Sequence, residues 1–141
     1  MTPQQIALVQ TSFAKVVPIA GTAADLFYGR LFEIAPDVRR MFPQDLAEQK
    51  KKLMAMLGTV VAGLARLDTL LPAICALGER HAGYGVKVEQ FTPVGAELLW
   101  ALEQGLGNEF TPDVEDAWAT AYGMLSQAMI DAMMRKVSKA A

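Results

Sequence analysis

The chain has 141 residues, of which 52% are hydrophobic and 20% charged, and its formal net charge at pH 7 is −2. This composition fits one domain with a packed core and excludes a disordered chain, which is poor in apolar residues. The near-neutral charge also argues against a nucleic-acid partner, because phosphate binding depends on clustered Lys and Arg.

The first helix is predicted from its capping residues. Thr2 and Gln5 form a capping box around Pro3, which suits the first helical position. Apolar residues then recur at steps of three and four until Pro18 and Gly21 end the helix. Ala, Leu and Met are abundant throughout, and no Asn-Gly or Asp-Gly pair marks a hairpin, so the sequence predicts an all-α fold.

The second helix is predicted from Thr22, paired with Asp25 in another capping box, to Ala35. Pro36 ends it, because the residue before a proline is disfavoured in the helical region. A short helical turn from Asp37 to Phe42 follows.

Four further helices bring the predicted number to about seven. A long helix covers Leu46 to Leu67, and a short one capped by Asp68 ends at Gly83. Another runs from Phe91 to Leu106, and the last begins at Thr111.

No feature of a secreted or membrane-inserted protein is expected. Met1 is not followed by a basic segment that leads into an apolar one. The longest nearly uncharged apolar stretch, Leu53 to Ala65, is shorter than the about 20 residues that cross a bilayer. Cys75 is the only cysteine and forms no internal disulfide. We expect a single domain over residues 1–141 in the cytoplasm, without membrane insertion.

His81 is the only histidine, and it continues an apolar stripe of Leu70, Ile74 and Leu77. One interpretation is a core histidine that is hydrogen-bonded locally. The other is an axial ligand of haem, a large apolar disc whose iron takes an axial nitrogen. A single histidine excludes a multi-histidine metal site and a haem held by two histidines of one chain.

Three residues upstream favour the haem interpretation. Phe42 ends a proline-flanked turn, where an aromatic side chain can pack flat against a ring. Tyr28 interrupts an apolar helix face, and Gln49 lies one turn before Leu53 on the same side of its helix. Each polar residue has an ordinary alternative: Tyr28 as a core tyrosine bonded to a backbone carbonyl, and Gln49 as a solvated residue beside three lysines.

Several short motifs occur in a fixed order along the chain. They are Leu26-Phe27-Tyr28 with Leu31-Phe32, Pro36, Phe42, Gln49 with Leu53, Leu70-Leu71-Pro72-Ala73, Glu79-Arg80-His81, Val94-Gly95 with Glu97-Leu98-Leu99, and Asp116-Ala117-Trp118 with Tyr122-Gly123. This order resembles the globin family, in particular the globin domains of bacterial flavohaemoglobins and the related single-domain bacterial haemoglobins. The resemblance extends from about Gln5 to Met134, nearly the whole chain.

The resemblance implies a globin fold of about seven helices around one haem b. It implies that His81 is the proximal iron ligand, that Phe42 stacks on the haem, and that Tyr28 and Gln49 act on the bound ligand from the distal side. The other implied haem-lining residues are Leu53, Leu77, Val86, Phe91, Val94 and Leu125. Lys52 is a further candidate, for a haem propionate, although three consecutive lysines are also typical of a solvated face.

Two positions depart from the family pattern. In flavohaemoglobins a tyrosine and a glutamate usually support the proximal histidine, and the matching positions here are Phe91 and Met133. Neither side chain accepts the imidazole proton, so we expect a neutral imidazole bonded to a backbone carbonyl one turn back. This weakens a peroxidase-like interpretation. No flavin or nicotinamide domain follows in this chain, so electrons are expected from an external reductase.

The resemblance thus implies a haemoglobin that binds O₂ reversibly and tightly, with CO and NO as further ligands. One alternative is a nitric oxide dioxygenase that forms nitrate with a separate reductase. Another is a haem-based sensor that signals through a partner, and a helical bundle without cofactor is the last. The sequence leaves open whether Tyr28 or Gln49 coordinates ferric iron.

Overall fold

The computed structural model describes residues 1–140, with side chains through Lys136, and this part of the chain forms six α-helices. They are α1 (Pro3–Val16), α2 (Ala20–Ile34), α3 (Ala47–Ala62), α4 (Leu67–Gly83), α5 (Phe91–Leu106) and α6 (Pro112–Ala140). Short 3₁₀ turns lie between them at Val17–Ile19, Pro36–Met41, Leu64–Arg66, Val88–Gln90 and Gly107–Glu109. Residues 1–140 contain no strand, so the all-α prediction is confirmed.

The predicted cap of α1 is present. The hydroxyl oxygen of Thr2 accepts a bond from the Gln5 backbone N–H at 3.1 Å, and Gln5 Oε1 accepts one from the Thr2 N–H at 3.0 Å. These two reciprocal bonds satisfy backbone donors that the first helical turn leaves free. The beginning of α1 is therefore determined by its own sequence.

The predicted cap of α2 is wrong. This helix begins at Ala20, and it has no side-chain cap. The turn Val17–Ile19 leads directly into the helix, so Thr22 lies inside the first helical turn instead of before it. A tertiary feature, the tight turn between α1 and α2, overrides the local capping signal of Thr22 and Asp25.

The predicted long helix from Leu46 to Leu67 is broken at Gly63. The segment Leu64–Gly83 bends by 61° from α3, which ends one residue before this glycine. A Cβ on Gly63 would lie 2.5 Å from Leu70 Cδ1, so glycine allows this close turn against α4. The helix after the bend, α4, ends at Gly83 as predicted, but Asp68 lies in its first turn instead of capping it.

Buried side chains form two clusters. The first core lies among α1, α2, α3, α5 and the start of α6, and its larger members are Phe13, Phe27, Tyr28, Leu31, Leu57, Leu98 and Trp118. The second core joins α4 to α6 and to the start of α5, and consists of Ile74, Phe91, Met129 and Met133. α3, which carries Gln49, is thus supported by the first core, whereas α4, which carries His81, is supported by the second.

One segment of the described chain is long and apolar enough, by length and composition, to cross a membrane. It is Pro3–Ile34, with a mean hydropathy of 1.3 in its most apolar window, and it includes both α1 and α2. The bent pair α3 and α4 also passes that test when its two helices are taken together. The expectation that no stretch reaches this length rested on Leu53–Ala65 and overlooked the N-terminal segment. In the fold, buried side chains of α1 and α2 such as Val9, Val16 and Phe27 belong to the first core.

Candidate functional site

Tyr28 and Gln49 are brought together by α2 and α3. Tyr28 is 3% exposed, and Gln49 Nε2 donates a hydrogen bond to its hydroxyl oxygen at 3.2 Å. Burial raises the pKa of Tyr28, and the bond from Gln49 opposes this rise by a smaller amount. The phenol is therefore neutral at pH 7. Because Gln49 is the donor in this bond, the O–H proton of Tyr28 is available to another acceptor.

Phe42 lies beside this pair in a cluster of aromatic rings. It follows the 3₁₀ turn Pro36–Met41 in an extended conformation. Its ring centroid is 5.6 Å from that of Tyr28, edge to face, and 5.6 Å from that of Phe32, while Tyr28 and Phe32 are 5.9 Å apart. Such pairs favour a defined geometry, so the three rings restrain one another.

Arg39 holds the backbone around Phe42, a role that the sequence analysis missed. Its guanidinium group donates to the carbonyl oxygens of Phe42 at 3.3 Å, Pro43 at 2.9 Å and Gln44 at 3.0 Å. It also lies 5.0 Å above the ring of Phe32. Only the fixed fork of an arginine reaches several acceptors at once in this way. The residue type carried no signal, because Arg40 beside it is exposed and looks equivalent in the sequence.

His81 lies near the C-terminal end of α4, with its ring partly buried. Its Nδ1 is 2.8 Å from the carbonyl oxygen of Leu77, one turn earlier. A carbonyl oxygen only accepts, so Nδ1 carries the proton and Nε2 carries a lone pair. Burial lowers the pKa of His81 and the Leu77 bond raises it by less, so the ring is neutral at pH 7. The predicted bond to a carbonyl one turn back is confirmed.

The neighbours of His81 offer no carboxylate among the described residues. The rings of Tyr84 and Phe91 lie 5.7 Å and 6.2 Å from the imidazole, centroid to centroid. Met133 is 5% exposed and belongs to the second core together with Phe91. The imidazole therefore has the electronic character of a neutral ring bonded to an amide, as expected from these two departures from the family pattern.

The remaining predicted site residues divide between the two cores. Leu53 and Val94 pack against the first core, to which Tyr28 belongs, whereas Leu77, Val86 and Leu125 pack against the second.

Lys52 is exposed at the surface of α3. Of its neighbours, Lys50 pairs with Asp25 at 2.7 Å and Lys51 with Glu48 at 3.8 Å. This arrangement agrees with the solvated-face interpretation of the lysine run.

Tyr122 has a role that the sequence did not reveal, although it forms part of a family motif. Its hydroxyl donates to the backbone carbonyl of Phe91 at 2.6 Å, at the start of α5. Burial raises the pKa of Tyr122, which keeps the phenol protonated. Gly95 makes room for this ring, because a Cβ there would overlap the Tyr122 side chain. This contact fixes the beginning of α5 against α6.

Two small apolar cavities lie in the first core. One, of about 10 Å³, is lined by residues that include Phe27 and Leu53, but not by Tyr28 or Gln49. The other, of about 20 Å³, extends toward Val60 and Leu125. Leu57 and Leu98 line both cavities and separate them.

The available metal donor is a single imidazole. No group of three or more His, Cys, Asp or Glu side chains comes together anywhere in the described chain. A free metal ion needs such a set, whereas a haem iron is already held by its macrocycle and takes one or two axial ligands from the protein. The donor set therefore fits haem and does not fit a bare ion.

Comparisons with known proteins agree with this arrangement. The family model described as Globin matches residues 25–129. A flavohemoprotein of Bacillus subtilis is 34% identical over 112 residues, covering 77% of this chain and 28% of its own length. A flavohemoprotein of Bordetella parapertussis is 31% identical over 134 residues, covering 92% of this chain and 33% of its own length. The chain thus spans about a third of the length of these relatives.

Solved structures share the fold over nearly the whole chain. A bacterial globin from Campylobacter jejuni has a TM-score of 0.87 at 24% identity, covering 97% of this chain and 99% of that one. An engineered carbene transferase from Rhodothermus marinus, whose name provisionally assigns it as a nitric oxide dioxygenase, has a TM-score of 0.88 at 23% identity, covering 98% and 96%. A flavohemoglobin from Malassezia yamatoensis with bound FAD and heme has a TM-score of 0.83 at 20% identity, covering 98% and 38%. Because the family match includes well over half of the chain and the fold agrees over nearly all of it, this protein belongs to the globin family, a membership that implies haem binding.

Proposed function

We propose that this chain holds one haem b through His81 and binds O₂ reversibly and tightly beside Tyr28 and Gln49. The observation that carries the proposal is the hydrogen bond from Gln49 to the hydroxyl oxygen of the buried Tyr28. It orients a neutral phenol whose proton remains available, on α2 and α3, whereas the only imidazole of the chain lies on α4.

The state of His81 supports its role as the axial ligand. Because Nδ1 is bonded to Leu77, the lone pair is on Nε2, the atom that is free to coordinate. No Cys-x-x-Cys-His motif precedes this histidine, so covalent attachment of the c type is excluded and haem b is the form proposed.

When bound, haem would supply an iron that binds a small gas such as O₂, CO or NO, and His81 would hold this iron through Nε2. Phe42 is proposed to stack on the macrocycle. The ring cluster and Arg39 hold Phe42 in place from one side. The residues proposed to line the rest of the haem pocket are Leu53, Leu77, Val86, Phe91, Val94 and Leu125. Their side chains are apolar, as the faces of the macrocycle require.

Tyr28 and Gln49 favour bound O₂ over bound CO. O₂ in a haem pocket carries partial negative charge, and the O–H of Tyr28 and the amide of Gln49 are both donors. Hydrogen bonds to charged acceptors contribute about 1.5–3 kcal/mol each, and about 1.4 kcal/mol is a factor of ten in an equilibrium constant. A single good bond therefore slows O₂ release by about ten- to a hundredfold, which suits scavenging or chemistry better than bulk delivery.

The environment of His81 favours ligand binding over peroxidase chemistry. A carboxylate at Nδ1 would make the imidazole a stronger electron donor to iron. Here the acceptor is the carbonyl of Leu77, and the nearby Phe91 and Met133 are apolar. This environment of His81 would favour reversible binding of O₂ over cleavage of its O–O bond.

The visible spectrum of the purified protein tests the proposal directly. The apoprotein is mixed with haemin, reduced under argon, exposed to air and then to CO. We expect a 1:1 complex whose reduced spectrum changes in air to that of a stable oxygenated form and returns under vacuum. No haem uptake, or immediate oxidation in air without a stable oxygenated form, would exclude this function.

A second candidate function, nitric oxide dioxygenation with a separate reductase, is favoured by the proposed binding of O₂ beside the donors of Tyr28 and Gln49. These donors would stabilise the partial negative charge on bound O₂ that its reaction with NO requires. NO and bound O₂ would combine to nitrate and leave ferric iron, and a reductase would return one electron for each turnover. The flavohemoprotein relatives and the Rhodothermus marinus neighbour are consistent with this chemistry.

Stopped-flow mixing of the oxygenated protein with NO tests the second function. We expect a rapid stoichiometric reaction that forms nitrate and ferric protein, with steady turnover only after a reductase is added. A slow reaction, or one without nitrate, would leave O₂ binding as the function.

A further inference from the structure

The helix that carries His81 touches α6 through a glycine. Gly78 is buried, and a Cβ built on it would lie 2.6 Å from the carbonyl oxygen and 2.8 Å from the Cα of Met129. These are backbone atoms of a helix, so they cannot rotate away as the end of a side chain can. An ordinary contact begins at 3.4 Å, so any larger residue at position 78 would displace one helix by about 0.8 Å.

Other glycines of the chain meet softer neighbours or none. Gly63 faces the end of the Leu70 side chain, and Gly95 faces the ring of Tyr122. Gly83, on the same helix as Gly78, and Gly123, on α6, have nothing within 4 Å. Gly78 is thus the described glycine at which a side chain would meet the backbone of another helix.

The contact at Gly78 lies directly beside the groups that hold the imidazole. His81 follows it by three residues, on the adjacent turn of α4, and Leu77, whose carbonyl accepts the Nδ1 proton, precedes it. Because a helix transmits displacement along its length, the position of α4 at residue 78 determines where the His81 ring lies.

Further interactions hold α4 against α6 on both sides of this contact. Met129 and Met133 of α6 pack on Ile74 in the second core. At the surface, Arg135 Nη2 lies 3.5 Å from Cys75 Sγ, and Lys136 Nζ donates to the carbonyl of Glu79 at 3.3 Å. α6 therefore supports α4 along the turns that precede the histidine.

We propose that Gly78 is a positioning residue for the proximal ligand: its close contact with the backbone of Met129 sets the distance and tilt at which His81 meets the haem iron. The proposal rests on the role of His81 in the proposed function. Closely packed interiors transmit small displacements instead of absorbing them, so a shift of this size in α4 changes the iron–imidazole bond.

The test compares Gly78→Ala with two matched glycine replacements, Gly83→Ala on the same helix and Gly123→Ala on α6. All three replace a helical glycine by alanine, but only Gly78→Ala introduces a clash with the backbone of another helix. The iron–histidine stretching band of the reduced, haem-loaded protein is measured by resonance Raman spectroscopy. We expect a displaced band for Gly78→Ala and unchanged bands for both controls. Haem transfer to excess apomyoglobin should also be faster, by about tenfold, because overpacking of a core carries a cost of this size.

A purely structural role would lower the melting temperature of Gly78→Ala and leave the band in place, which would overturn the proposal. If Gly78→Ala does not fold, the double variant Arg135→Ala and Lys136→Ala serves instead, because it removes the surface bonds that hold α6 against α4 on both sides of Gly78. It should shift or broaden the band by a smaller amount, and an unchanged band would overturn the proposal.

The wild-type protein separates this proposal from the function on which it rests. A wild-type protein without any iron–histidine band would contradict the role of His81 itself. A wild-type band that Gly78→Ala and the double variant leave unchanged would contradict the role of Gly78 alone.

Discussion

The side of the site around Tyr28 and the side around His81 are built by different means. Around Tyr28, side chains do the positioning: a glutamine amide and three phenylalanine rings contact the phenol. Around His81, the backbone does the positioning. The carbonyl oxygen of Leu77 accepts the hydrogen bond of the imidazole, and Gly78 allows α4 to lie close against α6. Changes of side chain near Tyr28 should therefore alter the chemistry of a bound gas without moving helices. Near His81, small changes should move a helix and alter how the cofactor is held.

The largest effect is expected from removal of the imidazole. His81→Ala should abolish tight haem binding, because the chain has no other histidine to replace it. Added imidazole should restore the main haem absorption band by entering the vacated space. Glu79→Ala, an exposed change on the same helix, serves as the control and should keep the wild-type spectrum. A His81→Ala protein with a normal, tightly bound haem would show that the ligand lies elsewhere.

The next largest effect concerns Tyr28 and tests whether its side of the site acts through hydrogen bonding. Tyr28→Phe keeps the ring and its contact with Phe42 but removes the donor. O₂ dissociation, measured by stopped flow, should become more than about tenfold faster. CO dissociation should change far less, because CO carries little charge. Gln49→Leu should have a smaller effect on O₂ than Tyr28→Phe. Equal effects of Tyr28→Phe on both gases would mean that the pocket works by shape alone.

The difference between side-chain and backbone contacts also explains which residues could be predicted from the sequence. Tyr28, Gln49 and His81 are predicted as site residues because they occur in motifs that resemble the globin family. The bond from His81 to a carbonyl one turn back was expected because Phe91 and Met133 replace the polar partners of the family pattern. Gly78 and Arg39 were missed, because a glycine in a helix and one of two adjacent arginines have no distinguishing local pattern. Their roles depend on which helix or loop lies opposite, and this is tertiary information.

The errors in the helix boundaries have the same origin. The capping box of α1 was predicted correctly because all of its contacts lie within four residues. The break at Gly63 was missed because it depends on Leu70 packing against the turn. Thr22 has the right residues around it for a cap, but the preceding turn places it inside the helix.

A smaller effect is expected from Arg39, which tests whether side chains hold the Phe42 loop. Arg39→Ala removes three bonds to backbone carbonyls and the contact with Phe32. Haem loss should become faster by about three- to tenfold, which corresponds to the contribution of about one such bond, about 0.5–1.5 kcal/mol, because the loop is held by other contacts as well. Arg40→Ala is the matched control, because Arg40 is exposed and donates one bond to Asp37 at 3.2 Å. Equal rates for the two variants would exclude a special role for Arg39.

The smallest effect is a dependence of stability on alkaline pH. Burial raises the pKa of Tyr28 above its ordinary value of 10.0 in the folded protein, and it also raises the pKa of Tyr122. Above pH 10 the unfolded chain therefore loses protons that the folded protein retains, so stability is complete below about pH 10 and falls as the pH rises further. The urea concentration at the midpoint of unfolding, measured from pH 8 upward, should decrease less steeply for Tyr28→Phe than for the wild type. Tyr122→Phe should also reduce this decrease, independently of Tyr28.

The O₂ dissociation rate should stay constant between pH 7 and about pH 10, since the phenol of Tyr28 keeps its proton over that range. A rate that rises well below pH 10, or an unchanged alkaline fall in Tyr28→Phe, would show that Tyr28 is not the buried neutral donor on which the contrast between the two sides depends.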